Sequence, residues 1–408
     1  MLPKTNFYDL PRLISFRREL HSNPELSFQE FSTQSSIKSF LQSLYIPESS
    51  ILTCAKTGLI VNISGQAPAQ GPSFILAFRA DIDALEMLEN NPDLPYKSLN
   101  PQAAHACGHD GHAVCLLGFL ALFLENLSVI PENKTMRLLF QPSEEDTPGD
   151  LSGADCMVKE GCLKDVDEVY GLHNCPLQFG KCFVKSGYVA AEFLNVRLKI
   201  LGSGGHAGDP NIKGDPVQPG VDIYVMLRGL IQRELANKRY FCFSLPFFHA
   251  GTANNVIAEY AEIKGTFRSV DSEFTKAFTE EFTEKSRKIC EDYGCKLEIS
   301  IKLTCPAIIN SEKEAENLKQ IAIGFFGEEN VGGDELFPVL GSDDFAFFSN
   351  EKPGVYFGIG IGRPEKQLHA PNFDFNDDAI DFISRFWLKI AEDRLGFKAI
   401  NGLLKGNN

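Results

Sequence analysis

The sequence predicts an α/β architecture, a sheet covered by helices and interrupted by a smaller α+β domain. Three observations carry that prediction. Short, largely apolar runs recur between helical stretches; chemically capable polar residues follow several of these runs; and residues 186–304 change character, with 192–201 and 296–304 alternating apolar and polar positions. Runs that are apolar on both faces suit strands buried in a parallel sheet, whereas alternation suits a sheet with one packed face and one wet face. A chain of 408 residues is long enough to build more than one core.

Taken in order, residues 9–22 carry Leu10, Leu13, Ile14 and Leu20 at helical spacing and end at the turn His21-Ser-Asn-Pro24. A second helix is predicted over 29–44. Strands are predicted over 73–78, 135–140, 166–172 and 355–361, with a wholly apolar, buried helix over 113–124. Within the interruption, 192–201 places Leu194, Val196, Leu198 and Ile200 on one face of a strand. A helix over 216–238, strands over 240–248 and 259–269, a helix over 272–293 and a strand over 296–304 come next. That order, β-α-β-β-α-β, is the ferredoxin-like pattern. Helices over 310–326 and 377–395 return the chain to the first domain, and the tail Lys405–Asn408 is expected to be loose. The predicted organisation is a discontinuous domain, 1–185 plus 305–408, around an inserted domain, 186–304.

Composition removes several function classes. A net charge of -15 argues against a nucleic-acid binder, which needs a clustered basic surface to meet phosphates. No stretch reaches the roughly 18 apolar residues of a membrane span. The first ten residues lack the apolar core of a signal peptide. The eleven cysteines are odd in number and without CxxC spacing, so a reducing, cytoplasmic compartment is the simplest expectation.

The chemistry concentrates in His105-Ala-Cys107-Gly108-His109-Asp110-Gly111-His112, which holds three of the eight histidines. A thiolate and an imidazole can converge on a metal ion across a turn hinged at a glycine such as Gly108. The positive end of the following helix is expected to favour the thiolate of Cys107. Such a site needs distant partners. The predicted strand ends supply them, in Arg79-Ala-Asp81-Ile-Asp83, Gln141-Pro-Ser-Glu144-Glu145 and Gly171-Leu-His173, and His369 stands near the C-terminus. In an open α/β sheet such ends gather around a ligand. Cys107, His109, Glu145, His173 and His369 are therefore the candidate metal ligands. Neighbouring side chains point in different directions, so if Glu145 binds metal, Glu144 is available as a general base. Asp81 and Asp83 read as carboxylates that orient ligand imidazoles, a role His112 and Asp110 could share. His105 reads as structural and His249 as a surface or core residue.

These motifs, with Gly204-Gly-His-Ala207, Asn255-Val-Ile257, Gly265-Thr-Phe-Arg268, Gly341-Ser-Asp-Asp-Phe345 and His369-Ala-Pro371, resemble the amidohydrolase branch of the aminoacylase and carboxypeptidase-type dinuclear metallopeptidases. That branch contains hippurate hydrolases, N-acyl-amino-acid amidohydrolases and plant auxin-conjugate hydrolases. The resemblance implies two divalent metal ions, zinc, manganese, cobalt or nickel, bridged by Cys107 and completed by His109, Glu145, His173 and His369. It implies hydrolysis of an N-acyl-amino-acid amide by metal-activated water, with Glu144 shuttling the proton. His206 would reach the site of a partner subunit and, with Asn255, stabilise the oxyanion, while Arg268 would pair with the substrate carboxylate. A homodimer through the inserted domain, acting for dimerisation or as a lid, is expected from the one-faced strands of that block and from His206 lying outside the metal domain.

Three positions depart from the pattern: Asp146-Thr147 after the paired glutamates, Glu86 where proline is common, and Asp343 in place of glutamate. They bear on the pocket and the acyl group accepted. The rival readings are a dipeptidase or aminoacylase with the same machinery, a Cys107 nucleophile with a histidine base, and a non-catalytic metal-binding protein.

Overall fold

Four parallel strands, Lys134–Gln141, Phe74–Asp81, Glu168–Cys175 and Gly354–Gly360, lie side by side at the centre of the larger of two units. The computed structural model describes residues 6–146, 151–209 and 213–400. Thr147 and the tail Lys405–Asn408 lie outside the described residues. Of those described, the larger unit takes residues up to Val189, Ile308–Phe337 and those from Asp343 onward; the smaller takes Ala190–Ala307 and Pro338–Ser342. Pro338–Ser342, which the sequence reading kept in the outer domain, joins the smaller unit because Ala191 N donates to the carbonyls of Val339 and Gly341 at 3.1 and 3.0 Å.

The central strands are buried on both faces, as their near-continuous apolar sequence requires. The sheet of the larger unit has eight strands among the described residues, with Ile51–Cys54 and Gly58–Ser64 added antiparallel at one edge and Cys182–Phe183 and Val331–Gly332 at the other. The helix His109–Leu124 is buried along its whole length, packed against Phe74–Asp81, Leu10–Ser22 and Ala379–Leu395. It begins four residues earlier than the sequence predicted. The polar start, His109-Asp-Gly-His112, is a buried first turn rather than a loop, because His109, Asp110 and His112 each find a side-chain partner inside the protein. Gly108 caps it in the left-handed region with φ 97°, where a Cβ would stand 2.2 Å from Asn174 Oδ1, so only glycine fits.

The smaller unit is an antiparallel sheet in the order Phe241–Ala250, Tyr260–Ser269, Glu192–Leu201, Lys296–Cys305. Leu194, Val196, Leu198 and Ile200 face a core shared with the helices Val217–Ala236 and Ser272–Asp292. The fold is ferredoxin-like. Among the described residues no helix is long and apolar enough to cross a membrane.

Candidate metal centre

Parallel strands deliver their carboxyl ends to one edge of the sheet, and the candidate residues collect there. Asp81 ends Phe74–Asp81, the two glutamates follow Lys134–Gln141 by a few residues, and His173 lies near the end of Glu168–Cys175. His173 is thus within its strand, not after it. Cys107 and His109 flank Gly108, and Ser143 takes the left-handed region at φ 50° to turn the chain into Glu144.

Two groups of ligand atoms share the Cys107 sulfur. Cys107, His109 and His173 form one and Cys107, Glu145 and His369 the other, with the atoms of each group within 4.8 Å of one another. His173 Nε2 is 3.2 Å from Cys107 Sγ, and His369 Nε2 is 3.5 Å from Glu145 Oε1. His109 Nδ1 faces two acceptors, the Asp83 carbonyl at 3.0 Å and Asp83 Oδ1 at 3.3 Å, so Nδ1 keeps a hydrogen and Nε2 is the nitrogen that would give up its proton to a cation. His173 Nδ1 likewise donates to the Asn174 carbonyl at 2.7 Å. Buried polar atoms are normally paired, yet His109 Nε2 and Glu145 Oε1 are buried without a hydrogen-bond partner, 3.7 Å apart. Orphaned donors aimed at one point, with a thiol and two further imidazoles around it, fit a metal ion.

Asp83 organises this arrangement. Besides His109 it accepts the main-chain N–H groups of Glu144 and Glu145 on Oδ2, at 2.9 and 3.0 Å, and the Ser27 hydroxyl at 2.8 Å. Asp81 acts differently from the expectation. Its shortest imidazole contact is to His112 Nδ1 at 2.6 Å, with His109 Nε2 at 3.6 Å, and the three form a further group whose atoms lie within 4.8 Å of one another. His112 Nε2 in turn accepts Asn174 N–H at 3.1 Å, fixing the residue after His173. Asp110 does not orient a ligand imidazole at all; it pairs with Arg17 at 3.2 Å and His21 at 2.8 Å. His105 is buried with neither ring nitrogen partnered, and His249 is exposed on Phe241–Ala250.

Sequence reasoning gave no role to the layer beneath. Arg79 is fully buried and reaches Gln141 Oε1 and Asp81 Oδ2 at 2.6 Å each, and Asp343 and Asp344 at 3.1 Å each. Asp343 also accepts Tyr356 Oη at 2.8 Å, so the shorter side chain in place of glutamate still reaches its partners. Both motifs were visible in the sequence, but no local signal joins positions so far apart.

The electrostatics suit a cation. Burial, then the neighbouring carboxylates Asp343, Glu145 and Asp344, hold Glu144 well above the usual carboxylate range. Burial, with Asp83 and Asp81, pushes Glu145 up to about 7 against the pull of His109. Burial opposes the charged form of His109, but Asp81, Asp83 and Glu145 outweigh it and raise it to about 10. Burial and His112 lower His173 to about 4. The expectation of a thiolate at Cys107 is overturned for the protein atoms alone. Burial, Glu145 and Glu144 push its thiol well up. A buried thiol among carboxylates is a poor nucleophile without a cation beside it, which counts against the cysteine-nucleophile reading.

In the smaller unit, Gly205–His206 pairs antiparallel with Val256–Ile257, so His206 and Asn255 are neighbours, with Ala207 N donating to the Asn255 carbonyl at 3.1 Å. Both side chains are exposed. Arg268 lies over the Phe193 ring and donates through Nη1 to Leu340 O at 3.2 Å and Ser342 Oγ at 3.0 Å.

Comparison with known proteins gives a consistent pattern. The profile of peptidase family M20/M25/M40 matches residues 77–393. The chain is 32% identical over 381 residues to N-acetylcysteine deacetylase of Bacillus subtilis, covering 93% of this chain and 96% of that protein. It is 31% identical over 386 residues to hippurate hydrolase of Campylobacter jejuni, covering 92% and 94%. A solved structure of a Bacillus subtilis dinuclear metal binding peptidase superposes with a TM-score of 0.79 at 29% identity, covering 95% of this chain and 98% of that one.

Proposed function

The chain belongs to peptidase family M20/M25/M40 and is a hydrolase of amide bonds, and from that premise we propose that it cleaves N-acyl amino acids, hippurate-like or N-acetylated, to a carboxylic acid and an amino acid. The observation that carries this reading is the pair of ligand groups sharing Cys107, with Glu144 beside them. Cys107, His109 and His173 would hold one divalent ion and Cys107, Glu145 and His369 a second; zinc, manganese, cobalt or nickel suits such a mixed shell. When bound, the ions supply Lewis-acid polarisation of the amide carbonyl and lower the pKa of water.

The chain's own residues do the rest. Asp83 pins the main chain of both glutamates, which holds the Glu144 carboxylate 4.0 Å from His109 Nε2. From there Glu144 takes the proton of the attacking water and returns it to the leaving amine. His206 and Asn255 serve as donors to the oxyanion, in the site of a partner subunit. Arg268 pairs with the substrate carboxylate through the edge of its guanidinium not committed to Leu340 and Ser342.

A homodimer through the smaller unit is part of the same proposal. Val217, Val221, Tyr224 and Val225 are exposed along Val217–Ala236, at helical spacing, and Phe241–Ala250 is an edge strand. A monomeric, fully active enzyme in sedimentation would defeat it. The cysteines are all free, which supports a reducing, cytoplasmic setting.

The test is amino-acid release from a panel of N-acyl amino acids by metal-loaded wild type and Glu144→Ala. Release is expected to fall by roughly 10²- to 10⁴-fold in the variant with metal content retained. Equal activity of the two proteins removes Glu144 as the base, and no activity of either on any amide removes the proposal.

A further inference from the structure

One candidate ligand differs from the others in how it is held. His369 sits in a loop, its side chain 56% exposed, with its backbone in the left-handed region at φ 62°. Its own main chain offers one tie to the centre, His369 N–H to the Ala106 carbonyl at 2.8 Å. Beyond it, Asn90 N–H donates to the Pro371 carbonyl at 2.6 Å and Asn91 Nδ2 to the Phe373 carbonyl at 3.0 Å, and the residues C-terminal to these add side-chain anchors. The Phe375 ring covers the first turn of His109–Leu124, only 2.3 Å from where a Cβ on Gly111 would stand. Beside it lies a buried guanidinium from the first helix. Arg17 Nη1 donates to Asp110 at 3.2 Å and to Asp374 at 3.0 Å, and Nε lies 2.8 Å from Asp377 as an ion pair without hydrogen-bond alignment. Asp110 is the residue after His109, and Asp374 is five residues after His369.

We infer that Arg17 and Asp374 form a clamp that positions His369 against the helix carrying His109, and so sets the affinity of the Cys107, Glu145 and His369 group for its ion. The inference rests on the metal-centre reading above. The clamp touches neither metal nor substrate; Arg17 and Asp374 are positioning residues. The physical case is one of register. Sequestering a guanidinium and carboxylates from water costs about what their attraction returns, so such a network is weak evidence for stability. It does, however, penalise any displacement that separates the partners, because a separated buried charge is left unpaired. Here the displacement penalised is that of the His369 loop. Arg363 at 2.6 Å and the Tyr96 hydroxyl at 3.3 Å also engage Asp374, so the loop end has three anchors on one carboxylate.

The experiment is calorimetric titration of the metal-free protein with zinc, for wild type, Asp374→Ala, Arg17→Lys, His369→Ala and the Asp374→Ala/His369→Ala pair, each first checked for a cooperative thermal melt. Wild type is expected to take two ions. In Asp374→Ala one of the two should weaken by roughly 10- to 100-fold, the usual effect of losing an outer support, with the other unchanged. Arg17→Lys, which keeps the charge and loses the second nitrogen that faces Asp377, should weaken the same ion by less. In the His369→Ala background the Asp374 change should add nothing, since the ligand it serves is gone. Equal weakening of both ions, or an additive loss in the double variant, overturns the clamp in favour of general support of the fold; unchanged affinity overturns it outright. No zinc uptake by wild type overturns the metal-centre reading, and the clamp with it.

Discussion

The two candidate ligand groups that share Cys107 are built in opposite ways. His109 opens a helix and His173 lies in a central strand; both are buried or nearly so, and each has its second ring nitrogen held by a carbonyl. Glu145 and His369 stand on irregular chain, and His369 is half exposed. The first group therefore inherits its geometry from secondary structure. The second inherits it from side chains elsewhere: Asp83 for Glu145, and the Phe375 and Asp374 contacts for His369. Rigid elements place ligands more accurately than loops do, so a loop ligand needs a supporting shell of its own.

That contrast can be broken or sharpened in four ways. The largest effect expected is from the shared atom: Cys107→Ala should lose both ions, whereas His369→Ala should lose one, as read by metal content after gel filtration. If the two variants retain equal metal, the groups do not share the sulfur. Next, Arg79→Met leaves Asp81, Asp343 and Asp344 buried without their cation. Denaturant unfolding should report a loss of about 3–5 kcal/mol, or no soluble protein. A loss under about 1 kcal/mol would mean that the layer beneath the first group is dispensable.

A third test uses pH. Burial opposes protonation of His21, but its hydrogen bonds to Asp110 and Glu89 prevail and raise it to about 9. A folded value above the ordinary 6.5 means that the added stability is fully present below pH 6.5 and is lost as pH rises through about 9. His21→Gln should accordingly cost on the order of 3 kcal/mol at about pH 6 and much less at about pH 10. A cost that grows with pH would contradict the charged pairing beside the Arg17 clamp. The smallest effect is expected from Gly111→Ala. The added methyl must displace the Phe375 ring, and overpacking should cost about 1–2 kcal/mol in urea unfolding despite the better helix propensity of alanine. A stabilised variant would show that the His369 loop yields freely.

Much of the candidate site was legible in the sequence because most of its candidate ligands stand near strand ends or beside a glycine hinge, where residue type and position speak together. The Asp83 contact with His109 follows from the same logic. The features that were not legible divide by cause. Arg79 with Asp343 and Asp344, and Arg17 with Asp374, join residues hundreds of positions apart, and pairing of charges leaves no local periodicity. The hairpin Ile51–Cys54 with Gly58–Ser64 escaped because its tight turn places Ala55 and Lys56 at φ 49° and 69°, without the glycine or asparagine that usually announces one. The start of the helix at His109 escaped because buried polar residues look like a loop until their partners are known.

The chain leaves the larger unit along Gly187–Ala190 and returns along Ile308–Asn310, and these two short segments pair with each other in a small ladder. Departure and return are therefore about one strand spacing apart, roughly 5 Å. An insertion attached at such a point behaves as a cassette. Its length can change without shifting the register of the sheet that carries the candidate ligands, because both of its ends stay fixed on one ladder.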